Sequence, residues 1–452
     1  MRQIFYRHAS RISIILSSIV VSLLVVDTFI ARLYLIIYGN VFYGSNFSDS
    51  INWNVLGFSL LTITCLVIQY FLLKLVKNNT KQLSTKGRIH LNKLQKLVVG
   101  IQYVIIGLSI FIILQMRFTS SYNTLVIVGI VGASYALGAS MMGYLASRFF
   151  LWFKVNKNSV IFAYGVASLV ICINIIITLV YVVGFLTDQL PTIRPHIGNM
   201  LAVISEDSIS YLSYVISGIL SFILTWIATS LLMRNYSDRI GKIKYWFIVC
   251  IPLIYFFSQF APSFLSLFDE FRSSDPVIYG IVYNLIFGFS KVIGGILFGV
   301  AFWIIARKLG QTQVREYMII SAYGLMMLFI SNQAISLVNY NYPPFGLATV
   351  SYVGFSGFLV LVGIYSAAIS VGQDIELRKL IRKSALKETG LLHNIASAEM
   401  EQQITKTVIS IARRNESIMR EESGLAASME DEEIVRYTKE VLEEVMKAKT
   451  RK

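Results

Sequence analysis

The chain has 452 residues, of which 55% are hydrophobic and only 14% charged, with mean hydropathy +0.65. Soluble domains carry about 25% charge, so a soluble multidomain protein is a poor fit. The net charge of +15 invites a nucleic-acid reading. Its distribution argues against one: residues 374–452 hold fifteen Lys/Arg and fifteen Asp/Glu, so the whole excess lies between apolar runs in 1–373.

Crossing the hydrocarbon core takes roughly 20 mostly apolar residues. Runs of that kind fall at about 12–38, 54–76, 97–116, 124–147, 159–186, 211–233, 245–267, 277–305, 317–338 and 347–372. Helices are expected, because lipid offers backbone amides no partner. The predicted fold class is therefore all-α, a polytopic transmembrane bundle of about ten spans over 1–373, with a helical tail over 374–452.

Lys/Arg placement orients the bundle. The N-terminal segment and the even-numbered loops hold twenty Lys/Arg, seven of them between Lys74 and Lys96. The alternate loops hold only Arg117, Arg194 and Arg272. This strict alternation predicts both termini in the cytoplasm and a multi-pass protein of the plasma membrane. The first span is too long for the apolar core of a cleaved signal peptide and is expected to be an anchor.

Ionisable groups at membrane depth are expensive and are functional candidates. Asp27 and Arg32 lie in the first span and Lys291 in the eighth. Arg32 sits near the outer end and is expected to snorkel. Asp27 and Lys291 are the one opposite-sign pair at depth, so an ion pair tying the first helix to the eighth is expected. In the eighth span Asn284, Gly288, Lys291, Gly295 and Gly299 share one face at helical spacing. Gly288, Gly295 and Gly299 read as packing positions, the last two as a small-xxx-small pair. Asn284, Asn332, Asp27 and Lys291 are the candidate ligand or ion-pair residues. Asn332 and Gln333 in the ninth span and Asn174 in the fifth are expected to hydrogen-bond between helices.

The three cysteines, Cys65, Cys172 and Cys250, lie in apolar runs and read as free thiols. The four histidines form no ligand spacing, so no metal site and no cofactor are expected. No paired carboxylates or nucleophile arrangement suggests catalysis. Ten spans could divide into inverted halves, as in carriers. The basic loop after the second span has an acidic counterpart at Asp269 to Asp275, and no internal repeat is evident.

The tail divides into helices at about 374–423 and 429–449. The second opens on a capping box, Ser428 with Asp431. His393 reads as a solvated helix residue, since no kinase domain follows it. The helix exit Q-D-I-E-L-R-K-L-I-R-K, the run A-S-A-E-M-E-Q-Q-I at 396–404 and the ending S-M-E-D-E-E-I-V-R-Y-T-K-E-V-L-E-E-V resemble multi-pass membrane proteins of ammonia-oxidising archaea. That group has no assigned activity, so the resemblance implies an archaeal plasma membrane and no site residues. The expected function is a non-enzymatic sensor, signalling or scaffold protein. Its partners would be the lipid bilayer and a cytoplasmic protein or second copy held through 374–452. The alternative is a transporter or channel subunit for a small solute.

Overall fold

The computed structural model describes residues 2–40, 47–84, 89–187, 192–193, 209–234, 241–260, 268–308, 313–333, 342–373, 390–423, 435 and 440–441. The expected second tail helix, about 429–449, lies almost wholly outside these residues. The described chain is all-α apart from a two-residue antiparallel pairing of β1 (Tyr122–Asn123) with β2 (Thr192–Ile193).

The first helices are α1 (Arg2–Asn40), α2 (Phe47–Ser84), α3 (Ile89–Thr119), α4 (Thr124–Val155), α5 (Ser159–Thr187) and α6 (Ile209–Arg234). Next come α7 (Lys242–Ser258), α8 (Asp269–Ser274), α9 (Pro276–Phe287), α10 (Ser290–Lys308) and α11 (Gln313–Ser331). The last are α12 (Leu347–Ser351), α13 (Val353–Gln373) and α14 (Gly390–Ser423). Local chemistry sets several starts. Asn123 Oδ1 accepts from Leu125 N–H at 2.8 Å to cap α4. Asp275 caps α9 through Ile278 N–H at 3.3 Å, with Pro276 in the first turn, where its missing N–H does no harm.

Nine helices among the described residues are long and apolar enough to cross a membrane, not ten. The seventh expected span is represented by α7, whose described helix is 17 residues long. The eighth and tenth expected spans are each built from two helices. One is α9 with α10, the other α12 with α13. Their interruptions position the polar groups described below.

The apolar side chains face two ways. A core runs through every span, including Phe58, Tyr135, Phe149, Phe222, Phe298 and Phe355. Trp53, Phe118, Val180, Ile216 and Ile254 are exposed on the outside of their helices. Contiguous apolar surface on this scale suits lipid and not water. α13 lies at the centre, packed on α4, α11 and α14, and its span is entirely buried. The close approach uses glycine: a Cβ on Gly354 would sit 2.8 Å from Ser134 O, and one on Gly324 2.7 Å from Val360 N. Gly295 and Gly299 similarly lie against α11, where a Cβ would meet Phe329 Cβ at 2.9 Å and Ala322 O at 2.6 Å.

Candidate functional site

Asp27 is fully buried, yet Lys291 is not its partner. Its Oδ1 accepts from Gly346 N–H at 2.9 Å. Its Oδ2 accepts from Thr349 N–H at 2.9 Å and from the Thr349 hydroxyl at 2.7 Å. Asp27 thus supplies, from α1, the cap that α12 lacks locally. The α12 N-cap position is Gly346, which has no side chain and sits at φ 93°, in the left-handed region that glycine tolerates. A buried carboxylate is well served by preorganised N–H donors at a helix start. The expected Asp27–Lys291 pair therefore does not form, and the tie runs from α1 to α12.

The eighth span is interrupted between α9 and α10. The helical ladder ends with Gly288 N–H to Asn284 O at 2.9 Å and restarts with Ile293 N–H to Phe289 O at 2.9 Å. A Cβ on Gly288 would collide with Asn284 O and lie 3.6 Å from Arg32 Nη1, so the missing side chain lets the turn close and α1 approach. Carbonyls released here must find donors. Arg32 Nη1 donates to Gly288 O at 3.3 Å, and the Tyr255 hydroxyl donates to Ile286 O. Arg32 Nη2 also donates to Gln333 Oε1 at 2.5 Å. Arg32 therefore turns inward to close the break instead of snorkelling, a cation at the carboxyl end of α9 where the helix dipole favours one. Its Nε is buried and has no hydrogen-bond partner among the described residues. Asn284 Nδ2 donates to Gly280 O of its own helix at 3.0 Å. With the helix broken, the face expected to carry Asn284 together with Lys291 is not continuous.

Lys291, in the first turn of α10, faces a cleft lined by Asn174, Gly218, Ser221, Phe222, Phe329 and Asn332. The cleft measures about 250 Å³ including its mouth, with enclosed room for about one water-sized particle. Asn332 Nδ2 donates to Asn174 Oδ1 at 2.7 Å, and Asn174 Nδ2 donates to Ser217 Oγ at 2.9 Å. The expected bridging between the fifth and ninth spans is present. Among the described residues no donor reaches the buried Asn332 Oδ1. The Lys291 ammonium lies 5.3 Å from the Tyr214 ring centroid, and among the described residues it has no carboxylate partner. Of the four candidate ligand residues, Lys291 and Asn332 meet at this cleft, while Asp27 and Asn284 lie outside its lining.

The tail is docked. Ile395, Ala396, Ala398 and Glu399 of α14 are buried against α4 and α13. Trp152 Nε1–H donates to Glu399 Oε2 at 3.1 Å, and Gln402 Nε2 donates to Leu151 O at 3.2 Å. Trp152 stacks on Tyr365 of α13, with centroids 6.3 Å apart, and Arg148 lies 5.1 Å over the same ring. Further along α14, Ile411 is exposed.

Sequence reasoning passed over Glu399, Trp152 and the Gln69–Gln102 hydrogen bond between α2 and α3. Both glutamines stand alone in apolar runs, which was the available signal for that pair. Among the described residues no group of three or more His, Cys, Asp and Glu could hold a metal ion. No family model, curated protein or solved structure matches this chain.

Proposed function

We propose that the protein is a non-enzymatic, multi-pass sensor of an archaeal plasma membrane, with both termini cytoplasmic, that couples the state of its helical bundle to its tail. The observation that carries this reading is the buried junction of Glu399 with Trp152. It sits at the end of α4 that bears Arg148 and Lys154, the end the charge alternation assigns to the cytoplasm. A chain of packed groups leads there from the Lys291 cleft. Asn332 and Phe329 line the cleft at the end of α11. α11 and α13 interlock at Gly324 with Val360 and at Tyr317 and Ser321 with Gly363. α13 then presents Tyr365 to Trp152. A perturbation at one end with a readout at the other tests the coupling. The exposed part of α14, with 424–452, would present the output to a cytoplasmic partner or a second copy.

Hydrogen exchange on the full chain in lipid nanodiscs tests this. Filling or neutralising the cleft, by Gly218→Ala or Lys291→Gln, is expected to change protection at 395–402. Unchanged protection there in both variants would remove the sensor reading.

The broken eighth span favours a second reading, a carrier or channel subunit. Interrupted helices at depth commonly frame solute sites in transporters. Solute flux in proteoliposomes that disappears with Lys291→Ala would support it.

A further inference from the structure

We propose that the Lys291 cleft binds one monovalent anion of halide size, held between the Lys291 ammonium and the Asn174 amide against Gly218. Charge favours an anion. Arg32 and Lys291 are the cations of the first and eighth spans, and neither has a carboxylate partner among the described residues. Asp27, the carboxylate of the first span, is committed to α12. An ammonium with no carboxylate beside it among the described residues favours an anion, and a tyrosine ring supplies only part of that charge. A bound anion supplies the missing charge; water does not, and a cation would be repelled.

The geometry leaves a place for it. A methyl group on Gly218 would lie 3.6 Å from Lys291 Nζ and 3.8 Å from Asn174 Nδ2. Both donors therefore flank the space that the missing side chain leaves. Lys291 carries three N–H donors that an anion can accept from. Its place at the start of the 19-residue α10 adds the positive end of a helix dipole.

Enclosed room for about one water-sized particle favours a monatomic anion over a polyatomic one.

The inference rests on the membrane-bundle reading and not on a signalling role for the tail. The protein in mild detergent is unfolded thermally in sodium chloride or bromide, and in sodium gluconate at equal ionic strength. Halide is expected to raise the midpoint above that in gluconate by a few degrees, because a ligand that binds only the folded state stabilises it. Gly218→Ala should abolish the shift. Its methyl makes ordinary contacts with both nitrogens, so it fills the site, keeps the charge and leaves the fold intact. Lys291→Gln should abolish it as well. Broadening of the chloride-35 resonance by wild type and not by Gly218→Ala is the second readout. Equal midpoints in halide and gluconate, or a halide shift retained in both variants, would overturn the proposal. A halide effect without any change in protection at 395–402 would leave the anion site standing and remove only the sensor.

Discussion

Asp27 of α1 and Thr349 of α12, 322 positions apart in the chain, are joined by two hydrogen bonds, from the Thr349 N–H at 2.9 Å and its hydroxyl at 2.7 Å. Asp27→Ala strips the cap from α12 and leaves buried N–H groups unpaired. It is expected to lower stability in thermal or denaturant unfolding by about 2–4 kcal/mol, with Asp27→Asn losing less. Asp27 and Lys291 make no ion pair, so the Asp27→Ala and Lys291→Met effects should add. A coupling energy above about 1 kcal/mol in the double-mutant cycle would contradict the geometry.

Arg32 closes the break in the eighth span. Arg32→Ala removes the donor to Gly288 O and the partner of Gln333, at a cost of about 1–3 kcal/mol. Under a snorkelling arginine the same change would be nearly neutral, so unfolding midpoints of the variant decide between the two.

The α11–α13 seam has no room. A Cβ on Gly363 would meet Tyr317 O at 2.5 Å, and Gly363→Ala should cost about 1–3 kcal/mol by overpacking. Gly57→Ala in α2 is the control. Nothing lies within 4 Å of its added methyl, and a helix gains about 0.5–1 kcal/mol from the same exchange. Midpoints that move the same way in both variants would speak against the central place of α13.

How much of this was legible in the sequence follows a physical line. Span-length apolar runs announce themselves locally, so most helices and the apolar exterior were readable. Asp27 and Lys291 were recognisable as costly groups, but their partners depend on which helix lies beside which. The Asp27 cap is donated from another helix, so no capping motif precedes Leu347. The Gly288 break was hidden because Asn284, Lys291, Gly295 and Gly299 keep helical spacing through it. Glu399 was one acid among fifteen in the tail, and only its contact with Trp152 sets it apart.

The docked tail is held by a short list of contacts. Glu399→Ala leaves Trp152 Nε1–H buried without an acceptor, at a cost of about 1–3 kcal/mol to the junction. Limited proteolysis is expected to cut within α14 faster in this variant, while Glu399→Gln, which keeps an acceptor oxygen, should lie close to wild type. Equal cleavage of Glu399→Ala and wild type would show that the junction does not hold the tail.

The central claim is that the Lys291 cleft and the tail belong to one coupled system. Hydrogen exchange at 395–402, compared between wild type and Gly218→Ala in nanodiscs, tests it most directly. The account predicts a change in protection at Glu399 and its neighbours from one methyl group placed in the cleft. Identical exchange in the two proteins, with the fold intact, would contradict it.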